Sequence, residues 1–298
     1  MSEFIQQLIN GLSLGSIYAL IALGYTMVYG ILKFINFAHG EIFMLGAFFG
    51  FYIAEALGVN QPSITMALVI MLLSMISTAI LGVVIEKLAY KPLRNSSKLT
   101  VLITAIGVSL FLQYTGQLVF GASPRSFPTL IENVSFNILG ATIGSNQMVV
   151  LVSTLILMFA LRIIVLKTKM GIAIRAVSNN LTAASLMGIN INNVISFTFA
   201  IGSALAGAAG ILYSINYPSI DPLMGLLPGL KAFIAAVLGG IGNFPGAFIG
   251  GLIIGLVETF TVGYLSPTYR DAIAFAILIL ILLIKPTGLF GKKDVEKV

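Results

Sequence analysis

Long apolar runs separated by short polar segments make up most of the chain. The first charge-free run extends from Phe4 to Leu32 and exceeds the roughly 20 residues that a helix needs to cross a bilayer. A shorter run, 229–242, reaches only about 21 Å at 1.5 Å per residue, so it predicts a half-helix, a re-entrant segment or a short crossing inside protein. The other runs lie at about residues 40–57, 63–86, 99–120, 146–166, 193–216, 244–263 and 269–285.

This pattern predicts an all-α integral membrane protein with eight to ten membrane segments, built as a single transmembrane domain over residues 1–298. The composition agrees, because 9% of the residues are charged and the mean hydropathy is +1.05. Soluble domains carry roughly 25% charged residues, so a soluble enzyme and a disordered protein are both excluded. No small-residue cleavage site follows a short apolar core, and we interpret the first run as a retained helix rather than a cleaved signal peptide.

The net charge of +6 indicates orientation in a membrane rather than nucleic-acid binding, because the basic residues lie in short loops between apolar runs. If 229–242 crosses the membrane, all but three of the 16 basic residues fall on one side. The positive-inside rule then predicts nine segments, with the N-terminus outside and the C-terminus inside. The inner clusters are formed by residues 87–98, by residues 162–175 and by Lys285, Lys292, Lys293 and Lys297.

Motifs for catalysis or nucleotide binding are weak or missing. The glycine-rich stretch 288–293 lacks the spacing of a phosphate-binding loop, and a single histidine, His39, excludes a zinc motif with two histidines. No cysteine is present, so no thiol nucleophile or Cys-based metal site exists. We therefore predict no catalytic residue, no metal site and no cofactor in this chain.

One literal match to a catalytic motif is Gly11-Leu12-Ser13-Leu14-Gly15, which fits the nucleophile elbow of serine hydrolases. That motif needs a strand before the serine and a helix after it, whereas this segment lies within one apolar run. The alternative, in which Ser13 pairs with His39, therefore lacks its structural context. The same glycines have G-x-x-x-G spacing, which favours close packing against another helix.

Ionisable residues inside apolar runs are the more informative class. Glu258 lies within the run 244–263, where it lines a pathway, pairs with a partner subunit or reaches the headgroups at the outer interface. Asn36, His39 and Glu41 lie at the inner turn between the first two helices. There they either cap and form the turn, since an acidic residue suits a helix N-terminus, or form part of an inner gate.

The inner segment 167–193 predicts an amphipathic helix outside the spans. The apolar face has Ile174, Val177, Leu181, Ala184 and Gly188. The other face has Arg175, Ser178, Asn179, Thr182 and Ser185. Helices that lie on membranes usually have a strongly basic polar face, and this face has one Arg. Packing against the chain itself or docking into a partner is therefore favoured over lying on the bilayer.

Four segments of the chain resemble the permease subunits of ABC uptake systems for branched-chain amino acids, the LivH type. The first is NGLSLGSIYALIALGYTMVYGILKFINFAHGEIFMLGAF (10–48), and the second is GIAIRAVSNNLTAASLMGI (171–189), which continues into 199–212. The others are 231–258 and 282–291. The resemblance implies the fold of an ABC importer permease, a transport subunit and not an enzyme, in a bacterial or archaeal cytoplasmic membrane.

The resemblance also implies partners. They would be a second related permease (LivM type) or a second copy, two ABC ATPase subunits that bind ATP and Mg, and a soluble periplasmic or extracellular amino-acid-binding protein. The inner segment would be the coupling helix that sits in a cleft of the ATPase. Its motif positions would be Gly171, Arg175, Ala183, Ala184 and Gly188. Relatives often have an acidic residue near Asn179, so a neutral hydrogen bond would replace that charge here.

For the translocation pathway we select Tyr18, Tyr25, Asn36, His39, Glu41 and Glu258. Polar and ionisable side chains of this kind would suit the zwitterionic, apolar amino acid that the resemblance implies as substrate. Two alternatives stay open. One is a sister ABC permease for urea, short amides or a sugar. The other is a stand-alone secondary transporter or channel, which the scarcity of buried carboxylates disfavours.

Overall fold

A computed structural model describes residues 2–59, 61–138 and 140–291. Every apolar run of the sequence forms a helix, and seven helices within the described residues are long and apolar enough to cross a membrane. The chain is therefore a multi-pass helical membrane protein. In chain order the helices are α1 (Ser2–Leu32), α2 (His39–Ala56), α3 (Ile64–Ile85), α4 (Lys98–Phe120), α5 (Ser145–Lys167), α6 (Lys169–Asn179), α7 (Leu181–Leu186), α8 (Ile191–Asn216), α9 (Leu226–Gly239), α10 (Phe244–Tyr264) and α11 (Arg270–Ile284).

Helix α1 is the centre of the molecule and α11 is at its edge. In their most apolar windows, 89% of α1 is buried inside the protein and 6% of α11. α1 contacts α8, α9 and α10 over much of its length, and it also contacts α5. The short α9 lies among α1, α2, α10 and α11 and is largely buried from Pro228 onward, whereas Leu226 and Leu227 at its start are exposed. A short helix surrounded by protein is one of the arrangements that its apolar run predicted.

Glycines bring the central helices into backbone contact. A Cβ atom added at Gly15 would lie 2.8 Å from Cα of Leu252 and 2.9 Å from the carbonyl oxygen of Gly251. Gly46 of α2 and Gly207 of α8 meet in the same way. The G-x-x-x-G reading of the first helix is therefore confirmed, since only residues without a side chain permit such approach.

The outer surfaces of α3, α4, α5 and α11 expose large apolar side chains, for example Ile80, Phe111, Phe159 and Leu283. In a membrane such surfaces contact lipid or another membrane subunit. Lipid tails are as apolar as these side chains, so contact with lipid does not disfavour their exposure.

The loops 121–145 and 217–228 form two short antiparallel sheets. Strand β1 (Arg125–Ser126) pairs with β4 (Ser219–Ile220), and β2 (Ser135–Ile138) pairs with β3 (Ala141–Gly144). The Gln6 side chain of α1 hydrogen-bonds both the N–H and the carbonyl of Thr142, at 2.7 and 3.0 Å. These loops are short elements fixed to the helix ends.

The predicted single amphipathic helix of the inner segment is interrupted. Asn180 has extended backbone angles, and its side chain accepts a hydrogen bond from the N–H of Ala183 at 2.9 Å. The segment therefore folds as two helices, α6 and α7, with Asn180 as the N-cap of the second. Gly188 ends the segment with φ near +80°, a conformation that favours glycine.

The stretch after α11 folds back against the turn between α9 and α10. The N–H of Leu289 donates to the Leu238 carbonyl at 2.7 Å, and Asn243 Nδ2 donates to the Phe290 carbonyl at 2.9 Å. Of the predicted basic cluster near the C-terminus, Lys285 is described, and Lys292, Lys293 and Lys297 lie outside the described residues.

Candidate functional site

The six residues selected for the pathway separate into two groups. Tyr18 and Glu258 belong to a set that we call the charged cluster, with Lys231, Arg270 and Asp271. The other four belong to a set that we call the turn cluster: Tyr25, Asn36, His39 and Glu41, with Tyr90 and Ser109.

The charged cluster is centred on the carboxylate of Glu258, which comes from α10 and is 1% exposed. The hydroxyl of Tyr18 donates to it at 3.0 Å, Nζ of Lys231 lies 3.1 Å from Oε1, and Nε of Arg270 donates to Oε1. Lys231 also contacts Oδ1 of Asp271 at 2.6 Å. Two cations and two carboxylates from α9, α10 and α11 thus compensate one another, as buried membrane charges require.

Sequence reasoning missed three members of this cluster. Lys231 and Arg270 are two of the three basic residues that the sequence places on the outer side, and Asp271 was not singled out. The available signal was Lys231, which lies within the short apolar run 229–242 and is 3% exposed. The Glu258 side chain is 1% exposed, and its partners within the described residues come from its own chain.

A cavity of about 430 Å³ opens above the charged cluster. It lies where α1 and α5 begin and where α8 and α10 end, and Glu258 and Arg270 line it. Its other polar lining residues are Gln7, Asn10, Ser13, Gln147, Asn216, Tyr217 and Thr259.

Hydrogen bonds between helices hold the cavity walls in place. Nδ2 of Asn216 donates to Oγ of Ser13 at 3.0 Å, and Nε2 of Gln147 donates to Oδ1 of Asn10 at 2.7 Å. These bonds join α8 and α5 to α1. The polar ends of three helices therefore converge on one side of the charged cluster.

The turn cluster is more enclosed and less completely bonded. The Tyr90 hydroxyl donates to Oδ1 of Asn36 at 2.6 Å, the rings of Tyr25 and His39 lie 4.7 Å apart, and Ser109 donates to Glu41 at 3.3 Å. Within the described residues, Nδ2 of Asn36, Nε2 of His39 and Oε2 of Glu41 are buried without a hydrogen-bond partner.

The N-cap of α2 is Ala38, without a side-chain cap. Asn36 forms part of the turn before α2, because its carbonyl accepts from the N–H of His39 at 3.0 Å, while its side-chain oxygen accepts from Tyr90 and does not cap the helix.

Ser13 and His39 are not paired. The Ser13 hydroxyl accepts from Asn216, whereas the His39 ring lies against Gly24, eleven residues further along α1. At 1.5 Å per residue this separates the two levels of the helix by about 16 Å. The serine-hydrolase alternative therefore has no geometric basis in this chain.

The six residues proposed for ATPase coupling divide by exposure. Gly171 and Ala184 are buried, and Gly171 packs against the carbonyl oxygens of Ile164 and Val165 at the end of α5. Those facing outward are Arg175, Asn179, Ala183 and Gly188.

Sequence reasoning missed two further exposed residues beside them, Leu186 and Met187, each 82% exposed. We call Arg175, Asn179, Ala183, Leu186 and Met187 the α6–α7 surface. Among the described residues no group of three His, Asp or Glu side chains is placed to hold a metal ion.

Comparison with known proteins gives one consistent match. Residues 7–282 match a family described as the permease component of branched-chain amino acid transport systems. The high-affinity branched-chain amino acid transport system permease protein LivH of Salmonella typhimurium is 46% identical over 99% of this chain and 98% of its own length. The corresponding protein BraD of Pseudomonas aeruginosa is 44% identical, with the same coverage. The ribose import permease protein RbsC of Haemophilus influenzae is 27% identical over 97% of this chain and 87% of its own length.

Proposed function

This chain belongs to the family of branched-chain amino acid transport permeases, and we propose that it is the membrane subunit of an ATP-driven, binding-protein-dependent ABC importer for branched-chain amino acids. ATP and Mg would be bound by two partner ATPase subunits. A second related permease or a second copy would complete the membrane part, and a soluble binding protein would deliver the substrate. The N-terminus would lie outside and the C-terminus inside.

The observation that carries this proposal is the α6–α7 surface. Leu186 and Met187 expose large apolar side chains in a connection that lies between two membrane helices. Apolar groups exposed next to a polar rim favour a protein partner. Arg175, which is also exposed, would provide the charged hydrogen bonds at the edge of that contact.

The same segment is attached firmly to the membrane helices. Gly171 fixes α6 against the end of α5, and Ile174 and Val177 are buried beneath it. α6 also contacts α1 and α8. A displacement of a docked ATPase would therefore reach α5, α8 and α1 as a rigid movement, which suits a switch between outward-open and inward-open packings.

The experiment is a gentle purification of tagged chain from its native membranes, followed by mass spectrometry and an ATPase assay. We expect two ATPases and a second permease in stoichiometric amounts. Changing Arg175→Glu, or Leu186→Ser together with Met187→Ser, is expected to reduce ATPase recovery at least about tenfold, because each removes contacts at the proposed interface.

Leu88→Ser is the matched control, since Leu88 is 75% exposed on another connection at the same end of the molecule. It should leave the complex intact. Recovery of the chain by itself under mild detergent would overturn the proposal. An equal loss of ATPase recovery in the control and in the test variants would also overturn it.

A stand-alone transporter is the alternative from another class. It would use the charged cluster for ion coupling, but the cations and carboxylates of that cluster already compensate one another. Transport by the purified chain alone in liposomes, abolished by Glu258→Gln, would favour this alternative.

A further inference from the structure

We propose that the cavity above the charged cluster binds a free α-amino acid through its ammonium and carboxylate groups, largely irrespective of its side chain. This inference rests on the proposed transport function and adds a binding site within this chain. It starts from the position of two opposite charges, Glu258 and Arg270, in the lining of one polar cavity of about 430 Å³. Sites for small ligands have volumes of about 300–1,000 Å³, so this one suits a single small molecule.

Arg270 is the group placed to receive the carboxylate. It contacts Glu258 through Nε, it lines the cavity, and its side chain is 42% exposed in total. A guanidinium offers five N–H donors in a fixed plane and binds carboxylates through two parallel hydrogen bonds. The edge formed by the two terminal nitrogens can therefore take a second carboxylate while Nε keeps its contact.

Glu258 and Asn216 are placed to receive the ammonium group. The Asn216 amide donates through Nδ2 to Ser13, which leaves Oδ1 as its acceptor. Glu258 is 1% exposed and supplies negative charge from just behind the cavity wall, where Tyr18 and Lys231 fix its orientation. An ammonium that contacts Oδ1 of Asn216 would be attracted by this charge and would lie beside the carboxylate held by Arg270.

The charge balance favours a zwitterion over other ligands. Lys231 and Arg270 already compensate Glu258 and Asp271. A ligand with no net charge leaves this balance intact, whereas an amine or a carboxylic acid alone introduces one uncompensated charge into a buried setting.

The walls of the cavity combine polar and apolar surface in similar amounts, but they contain few aliphatic side chains that could recognise a branched apolar group. Its aliphatic lining is limited to Leu14, which is 5% exposed, and Val262, while most other lining residues are amides and hydroxyls. We therefore expect leucine and serine to bind with similar affinity, and a preference for branched side chains to arise outside this cavity.

The test uses the complete purified complex in lipid nanodiscs without binding protein, with calorimetric titration of four probes. L-Leucine and L-serine should bind within about tenfold of each other. 3-Methylbutylamine, which lacks the carboxylate, and 4-methylpentanoate, which lacks the ammonium, should each bind at least about tenfold more weakly, because each loses a charge-assisted contact.

Substitutions assign the binding to this cavity. Arg270→Gln should lower the affinity for L-leucine at least tenfold and leave the affinity for 3-methylbutylamine nearly unchanged. Arg270→Lys keeps the charge beside Glu258 but loses the two-pronged contact, so it should give an intermediate loss for L-leucine in a folded complex. Tyr269→Phe is the control, because Tyr269 is 56% exposed next to Arg270 in sequence.

Two outcomes would overturn the inference. They are equal affinities for L-leucine and 3-methylbutylamine, or an affinity for L-leucine that Arg270→Gln leaves unchanged. The composition of the complex, measured on the same preparation, separates this from the proposed function. If the ATPases co-purify and no amino acid binds, only the cavity proposal fails, and if they are absent, the importer proposal fails first.

Discussion

The charged cluster and the turn cluster both bury a carboxylate beside α1, yet they solve the problem differently. Glu258 has two cations and a tyrosine hydroxyl around it and lies at the base of an open polar cavity. Glu41 has one hydrogen bond from Ser109, and its Oε2 has no partner among the described residues.

This difference indicates two separate roles for residues that the sequence predicted to line one pathway. A compensated network stabilises a single arrangement of α1, α9, α10 and α11, because the buried Glu258 or the buried Lys231 loses a partner when any member is removed. An incompletely bonded cluster contributes less to the packing that is observed. Gly40, Gly225 and Gly229 also meet beside it, with backbone atoms in close contact. The region around the turn cluster is thus the better candidate for rearrangement during transport.

The largest expected effect is on stability when Glu258→Gln is made. Lys231 then keeps Asp271 as its charged partner, and Arg270 loses the carboxylate that its Nε contacts. Breaking a buried ion pair from one side costs about 3–5 kcal/mol, and the loss here should lie near the lower end because Arg270 and Asp271 are 42% and 44% exposed. Thermal unfolding of the detergent-purified protein measures this. Glu55→Gln is the control, since Glu55 is exposed near the end of α2. Equal midpoints for the two variants would contradict the stabilising role of the charged cluster.

A smaller loss is expected from Gly15→Ala on α1, next to the charged cluster. The added methyl group would press on Leu252 and Gly251 of α10, and overpacking of this kind costs about 1–3 kcal/mol. Gly30→Ala on the same helix is the control, because no atom lies within 4 Å of its added Cβ, and Ala should favour the helix by about 1 kcal/mol. Unfolding midpoints that rise equally for both variants would show that helix propensity, and not packing, decides.

The smallest expected effect is that of Glu41→Gln. The amide preserves the contact with Ser109 and removes a buried charge that has no cation beside it, so the free energy of unfolding should rise, by less than about 1 kcal/mol. The same thermal unfolding assay compares it directly with Glu258→Gln. A loss as large as that of Glu258→Gln would end the distinction between the two clusters.

The pattern of the chain predicted the helices well. Each apolar run became a helix with bounds close to those expected, and the short run 229–242 became α9 (Leu226–Gly239), packed inside protein. These features depend on local composition and on the thickness of the bilayer, both of which can be deduced from a sequence. The break at Asn180 was missed because a capping side chain and a helical side chain look alike in a periodic pattern.

The functional residues were only partly predictable. Tyr18 and Glu258 were selected separately, and they are in direct contact although 240 residues separate them. Lys231 could have been selected as a charge within an apolar run. Arg270 and Asp271 had no such signal, because charges at a helix start are ordinary and their role depends on which helices are neighbours.

The sequence by itself determined that this protein is helical and multi-pass, where its helices lie and which residues are costly to bury, because these depend on the hydrophobicity of contiguous segments. Only the tertiary structure decided which charges compensate one another, that α1 is the central helix, that one carboxylate faces a cavity while the other is enclosed, and which coupling residues face outward. Those properties depend on contacts between distant segments, and α1 meets α10 as closely as it does because glycines of both helices coincide at the crossing.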